Sequence, residues 1–258
     1  MKTLVCLLGQ VRFQNVTWEP WRKFVLEHLN ADLVLCGNVE AGNHFSNYAK
    51  CIFKPEDHSD LSLLDSLPGH LGRQGGAGNC GRLTLHLRTD LWNGLVKTGL
   101  IDEYDSFIIS RSDILWNDYH PQLDQDHIWC LNGEFHLGLC DRHMVVPRRF
   151  LADAILIAKF EDPPKMFRIL NEKLEHGFAH GYHHCLFNLE SFIYCRFLER
   201  GLIEHLGLYP FPMYLCDAEG KSKMPGELDS DKATLTWPFR FIHEHLGTSG
   251  FFNGRAVK

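Results

Sequence analysis

The stretch YDSFIISRSD, residues 104–113, decides the fold class predicted for this chain. Its centre, Ser106 to Ser110, is a short apolar run bounded by polar residues, which is typical of a strand buried on both faces of a sheet. Such strands occur mainly in α/β proteins, where helices cover both faces. Arg111 and Asp113 follow directly, and side chains two residues apart share a face of an extended segment. The stretch therefore predicts a buried strand that ends in a charged pair.

The residues before this stretch predict alternating strands and helices. Thr3 to Leu8 and Asp32 to Cys36 are apolar runs, and residues 18–29 between them carry apolar side chains at helical spacing. This β-α-β order implies a parallel strand pair joined by a right-handed crossover. A third short strand is predicted at Lys50 to Phe53, and leucines four residues apart predict a helix from Cys80 to Gly99.

The residues after the stretch predict shorter strands mixed with helices. Strands are expected at His127 to Leu131, Met144 to Val146 and Met213 to Leu215, and helices at Phe150 to Ala158 and Asn188 to Arg200. The predicted fold class is therefore α/β. We expect a single domain over residues 1–258, built on an open, mixed, mostly parallel sheet that is flanked by helices.

Composition limits the classes of function. The 258 residues are 45% hydrophobic with a formal charge of −6, which is ample for a packed core and gives no general attraction to nucleic acid. No apolar run approaches the roughly 18 residues that a membrane span requires, and no signal peptide is recognisable. The nine cysteines are scattered without a C-x-x-C pair, as in proteins with reduced thiols. We expect a soluble, cytoplasmic protein without a membrane span and without a nucleic-acid partner.

Two candidate binding segments follow predicted strands, where open α/β sheets bind their ligands. After the first strand, Gly9 permits close backbone approach, and Gln10 and Arg12 can hydrogen-bond a base or a phosphate. The alternative is an ordinary turn with a surface arginine. After the buried strand, Asp113 can hold a divalent ion that bridges a diphosphate, with Arg111 beside it. The alternative there is an Arg–Asp ion pair that closes a loop.

Further acids and a glycine-rich run extend the candidate site. Glu134 and Asp141 lie in turn-rich sequence after a predicted strand, and either can act as a general base on an incoming hydroxyl. For Asp141 the alternative is a structural ion pair. The run Gly75 to Gly78, with Arg82 close behind it, is either a lid that wraps a pyrophosphate or a plain flexible loop; it matches no established phosphate-binding loop.

Histidines offer one route to a metal site. His243 and His245 can share a face of an extended segment and add a ligand to a metal held mainly by Asp113. Their spacing does not match H-E-x-x-H, and the alternative is a solvated or hydrogen-bonded histidine. No G-x-S-x-G elbow is present, which disfavours covalent hydrolase chemistry.

The order of several segments resembles that of GT-A-type glycosyltransferases. The similarity is to the WavE-like lipopolysaccharide-synthesis group and to related proteins of large algal DNA viruses. The segments are LGQVR at 8–12, ADLVL at 31–35, YDSFIISRSD at 104–113, GLCDR at 138–142 and NLESF at 188–192.

The resemblance implies a nucleotide-binding half over about residues 1–118 and an acceptor half over about 119–245. It implies that Gly9, Gln10 and Arg12 face the nucleotide, and that Asp141 or Glu190 faces the acceptor. It also implies a D-x-D acid pair that ligates a metal on the sugar-nucleotide diphosphate. This chain reads Ser-Arg-Ser-Asp at that position, so only Asp113 matches and the first acid of the pair is missing.

The resulting hypothesis is a glycosyltransferase that moves a sugar from a nucleotide-sugar donor to a glycan acceptor hydroxyl, with Mn²⁺ or Mg²⁺ as the expected cofactor. One alternative is a non-catalytic module that binds a sugar nucleotide or a carbohydrate. Another is a metal-dependent hydrolase that uses Asp141, His243 and His245.

Overall fold

The computed structural model describes residues 1–40, 42–55, 77–131, 139–157, 189–209 and 211–221. Nine strands lie in these ranges: β1 Thr3–Leu8, β2 Asp32–Cys36, β3 Cys51–Phe53, β4 Ser106–Ser110, β5 Ile114–Trp116, β6 Ile128–Leu131, β7 His143–Pro147, β8 Leu206–Tyr209 and β9 Met213–Leu215. The α-helices of the same ranges are α1 Gln14–Trp21, α2 His44–Tyr48, α3 Ala77–Thr98, α4 Leu100–Glu103, α5 Leu151–Ile155 and α6 Leu189–Glu199. A π-helical segment, Arg22–Glu27, continues α1, and 3₁₀ turns lie at Arg148–Phe150 and Leu202–His205.

Seven strands form one open mixed sheet in the order β3-β2-β1-β4-β7-β6-β8. Only β7 runs antiparallel to its neighbours in this sheet. The predicted fold class, an α/β protein with an open, mostly parallel mixed sheet flanked by helices, is confirmed. Strands from both predicted halves of the chain contribute to this one sheet. The chain moves outward from β1 to β2 and β3 and then returns to add β4 on the other side of β1, which creates a topological switch point between β1 and β4.

The core lies on both faces of the sheet because side chains alternate along its central strands. Leu4 and Phe107 belong to a hydrophobic cluster on one face, and Val5 and Ile108 belong to a cluster on the other. All five residues of β4 are buried, as the sequence predicted. Helix α3 packs a leucine stripe against the first face: Leu87, Leu91 and Leu95.

Several element boundaries differ from the predictions. The helix predicted from Cys80 begins at Ala77, so the second half of the glycine-rich run is the first turn of α3 rather than loop. Residues 75 and 76 lie outside the described ranges. The helix predicted at 150–158 is a 3₁₀ turn followed by the five-residue α5. Strands β5 and β8 were not predicted; β5 pairs with β9 in a separate two-stranded antiparallel sheet.

None of the six cysteines whose state is described forms a disulfide, and burial raises the pKa of the Cys36 and Cys130 thiols to about 12. These thiols are therefore core groups rather than nucleophiles. Within the described ranges, no helix is both long and apolar enough to cross a membrane.

Candidate functional site

A cavity of about 400 Å³ opens at the carboxyl ends of β1, β2 and β4. This is the switch point of the sheet, where open α/β proteins bind ligands. Its volume lies within the range of small-molecule sites. Six residues selected from the sequence line it together: Gly9, Gln10, Arg12, Arg111, Asp113 and Asp141.

Two glycines allow the loops after β1 and β2 to touch. The Gly9 amide donates to the Cys36 carbonyl at 2.9 Å. Gly37 has φ +153°, and a Cβ atom at Gly37 would lie 2.2 Å from the Gly9 carbonyl oxygen. A side chain at position 37 would therefore force the two loops apart. Gly37 is not among the residues predicted for the site; its only signal in the sequence is its position directly after a predicted strand.

Ser112 joins the loop after β1 to the loop after β4. Its hydroxyl donates to the Gln10 carbonyl at 3.2 Å and accepts from the Arg12 amide at 3.1 Å. The side chain is buried, so both bonds are shielded from water. Ser112 thus holds two predicted binding segments as one wall of the cavity. The only sign of this role along the chain is the position of the serine between Arg111 and Asp113.

Arg111 and Asp113 form a bidentate ion pair. The Arg111 Nε and Nη2 atoms donate to the two Asp113 carboxylate oxygens at 2.9 and 2.7 Å. The Asp113 side chain is only 4% exposed, whereas that of Arg111 is 38% exposed. The ion pair that the sequence left open as an alternative is therefore present, and both residues still line the cavity.

Arg12 differs from Arg111 in its partners. Its backbone amide is bound, but its guanidinium makes no hydrogen bond or ion pair with any residue in the described ranges. The side chain is exposed at the wall of the cavity. Arg12 therefore supplies a positive charge that an anionic ligand can neutralise.

A buried arginine lies next to the cavity wall. Arg88 on α3 follows Leu87, which lines the cavity, and it is 1% exposed. Its Nη1 atom donates to the Ala154 carbonyl at 2.9 Å. Burial lowers the Arg88 pKa, and the negative charge of Asp141 opposes that shift. The negative charge of Asp141 therefore acts on a buried cation.

Two buried histidines form a hydrogen-bonded series with the last residue of β4, Ser110. His143 Nδ1 lies 3.0 Å from the Ser110 hydroxyl, and His143 Nε2 lies 3.2 Å from His120 Nε2. Burial lowers the pKa of His120 to about 4 and the pKa of His143 well below its ordinary value. Both rings are therefore neutral at pH 7. This series of hydrogen bonds runs from the Ser110 hydroxyl through both histidines to the Pro121 carbonyl, which lies 2.7 Å from His120 Nδ1.

Of the predicted metal ligands, only Asp113 lies in the described ranges. No group of three or more histidine, cysteine or acidic side chains there can hold a metal ion. Both oxygens of Asp113 already accept hydrogen bonds from Arg111. The other predicted ligands, His243 and His245, lie outside the described residues, and so does Glu134. Glu190 lies on α6 and Arg82 on α3, but their side chains are not described.

Comparison with known proteins does not assign the chain to a family. No family model matches its sequence, and no curated protein matches it. The cavity and the residues around it are therefore the basis for a functional conclusion.

Proposed function

We propose that this chain is a glycosyltransferase that binds a nucleotide sugar in the switch-point cavity and transfers the sugar to a glycan hydroxyl. The observation that carries the proposal is the meeting of six strand-end residues around one cavity, at the position where α/β folds bind nucleotides. Gly9 lets a ligand approach the backbone closely, Gln10 offers a side-chain amide, and Arg12 and Arg111 each offer a guanidinium. Such groups suit a ligand with a polar base and an anionic diphosphate.

The two cationic side chains define where the diphosphate binds. Arg12 lies on the loop after β1 and Arg111 on the loop after β4, and Ser112 ties these loops together. A diphosphate between them receives charge-assisted hydrogen bonds from both sides. When the bond to the sugar breaks, negative charge builds up on the departing diphosphate. Fixed cations at that place stabilise the transition state more than the ground state.

Asp141 is the described candidate for the general base. Its carboxylate lines the same cavity as the two arginines. In the proposed reaction, the acceptor hydroxyl gives its proton to a carboxylate as its oxygen bonds to the anomeric carbon, and the diphosphate leaves with the bonding electrons. Glu134 and Glu190 stay predictions for the same role. Buried thiols that form no disulfide, such as those of Cys6, Cys36 and Cys130, agree with a reducing compartment such as the cytoplasm.

Thermal-shift and product assays test the proposal. The protein is screened with nucleoside diphosphates and their sugar conjugates, with and without Mn²⁺, because a ligand that binds only the folded state raises Tm. A conjugate that raises Tm is then incubated with candidate glycan acceptors, and the products are identified by mass. Asp113→Asn is expected to abolish turnover with the fold intact, because Arg111 loses its fixed position. Wild-type rates in this variant, or no shift with any nucleotide, would contradict the proposal.

A second candidate is a module that binds sugar nucleotides without reacting them. The observation that favours it is the engagement of the Asp113 carboxylate by Arg111, which leaves this acid serving structure. Calorimetric titration beside the product assay separates the two: binding without any transfer or hydrolysis, across all acceptors, supports the module.

A further inference from the structure

The pairing of Arg111 with Asp113 bears on how the cavity neutralises a diphosphate. A ligand with two phosphates needs compensating positive charge, which a protein supplies by a divalent cation held on carboxylates or by its own guanidinium groups. A carboxylate serves the first purpose only if its oxygens point at the ligand. Here both Asp113 oxygens point at Arg111.

The burial of the two partners shows which of them faces the ligand. The Asp113 side chain is 4% exposed, and the amide of Cys216, the residue after β9, donates to the Asp113 backbone carbonyl at 3.1 Å and helps to fix its position. Arg111 is 38% exposed and contributes to the cavity wall. The acid therefore works as a buried support, and the guanidinium is the part of the pair presented to the cavity.

A metal ion at Asp113 would have to break this arrangement. Ligation would remove two charge-assisted hydrogen bonds from Arg111 and place a dication beside the guanidinium that it displaces. The other acid at the wall, Asp141, is already within reach of the Arg88 charge. Each acid thus has a cationic neighbour in the protein, and Arg12 adds a further cation at the wall.

We infer that the Arg111 guanidinium, oriented by Asp113, and Arg12 together bind the diphosphate in this cavity, so that nucleotide binding needs no divalent metal. The inference rests on the proposed function, because it assumes a nucleoside diphosphate ligand. It makes Arg111 a residue that contacts the ligand and Asp113 a positioning residue.

Calorimetric titration with UDP, GDP, ADP and CDP, in excess EDTA and again in Mn²⁺, tests the inference. We expect at least one diphosphate to bind equally well in both buffers. A gain of about tenfold or more in Mn²⁺, which equals 1.4 kcal/mol, would overturn the inference and leave the proposed function standing. No binding in either buffer would overturn both.

Variants separate the role of the guanidinium from that of the acid. Arg111→Met combined with Asp113→Asn removes both charges with little change in volume, and it is expected to weaken binding in EDTA about 10- to 100-fold, the worth of charge-assisted hydrogen bonds. Arg111→Lys keeps the charge but loses the fork, and an intermediate affinity is expected. Asp113→Asn alone is expected to weaken binding less than the double variant does.

Controls exclude loss of folding. Arg149→Ala removes a half-exposed arginine that pairs with Asp126 away from the cavity, and it should bind like the wild type. Each variant is compared by its Tm and circular dichroism before titration. Unchanged affinity in a folded double variant would overturn the inference, as would an Asp113→Asn variant that loses binding only when Mn²⁺ is present.

Discussion

The two ends of the parallel strands use charged residues in different ways. At the amino ends, Lys50 bonds Glu103 at 3.1 Å and Lys2 bonds Glu103 at 3.3 Å, and the four side chains of this network, which includes Asp32, are 40 to 48% exposed. At the carboxyl ends, Asp113 is almost fully buried and its arginine faces a cavity. Exposed pairs are screened by water and contribute little to stability, whereas the groups at the carboxyl ends line a cavity.

Charged residues are therefore arranged differently at the two edges of the sheet. Residues near the amino ends of the strands pair with one another across neighbouring strands. Residues that follow the strands lie on loops, and Ser112 and Gly37 bring those loops close around an opening. Substitutions at the two edges should therefore have different consequences, and four of them test the comparison from the largest effect to the smallest.

Gly37→Ala should have the largest effect. The added Cβ atom would lie 2.2 Å from the Gly9 carbonyl oxygen, so the loops after β1 and β2 must separate. We expect a loss of roughly 3 kcal/mol in the free energy of unfolding, from overpacking and backbone strain, and a loss of nucleotide binding. Urea denaturation and calorimetry measure the two. Gly99→Ala at the other edge is the control: its Cβ meets nothing within 4 Å, and only strain of about 1 kcal/mol is expected. Equal losses in the two variants would contradict the prediction.

Acid should destabilise the structure around the carboxyl ends of the strands before it breaks the ion pairs at the amino ends. The pKa of His120 is about 4 in the folded protein, against 6.5 ordinarily, so the unfolded chain binds the proton more readily. Stability is complete above pH 6.5 and falls as the pH drops toward 4, by about 3 kcal/mol for this group. Lys50 and Lys2 lower the pKa of Glu103 at the amino edge, so its ion pairs persist to lower pH.

Denaturation at a series of pH values checks this prediction. His120→Gln should make the fall between pH 6.5 and 4 shallower, because it removes one of the two buried histidines that take up a proton on unfolding; His143 supplies the rest of the slope. His127→Gln, at an exposed histidine bonded to Asp124, should leave the slope as it is. A wild-type curve that is flat over this range would contradict the assignment of His120 as a buried neutral ring.

Arg12→Ala should change binding without changing stability. The Arg12 guanidinium has no partner among the described residues, so its removal costs the fold nothing, while a diphosphate loses one charge-assisted bond. We expect affinity to fall about tenfold, or 1.4 kcal/mol, and Tm to stay constant. Arg12→Lys should recover part of the affinity. A lower Tm with unchanged affinity would show that Arg12 is a structural residue.

Lys50→Ala should have the smallest effect. It breaks exposed pairs with Glu103 and Asp32 and a 3.0 Å hydrogen bond to the Tyr104 hydroxyl. Pairs of this exposure are worth up to about 1 kcal/mol, and the loss should shrink in high salt. Nucleotide affinity should not change. A loss of affinity in Lys50→Ala would contradict the division of roles between the two edges.

The fold was predictable where burial leaves a pattern along the chain. The apolar runs of β1, β2 and β4 and the leucine stripe of α3 are local signals, and the structure confirms all four. Strand β8 gives no such signal. It includes Gly207, which pairs with Trp129 of β6, and a Cβ at Gly207 would lie 2.5 Å from the indole ring. Its strand character depends on a partner almost 80 residues away.

The site was predictable in position but not in its bonds. Strand ends point to ligand sites in open α/β sheets, and that rule brought Gly9, Arg12 and Arg111 into one set before any distance was known. The rule says nothing about Ser112, whose two hydrogen bonds reach residues about one hundred positions away. It also left open whether Asp113 binds an ion or an arginine.

The sequence by itself determined that the chain folds as an α/β sheet protein and that charged residues end its central strand, because alternation and burial act between residues close in the chain. Only the tertiary structure decided that the ends of β1, β2 and β4 surround one cavity, that Gly37 must lack a side chain, and that Arg111 occupies both oxygens of Asp113. The first two depend on strand order and on contacts between distant loops. The third depends on the conformation of a single loop, which the residue types permit but do not dictate.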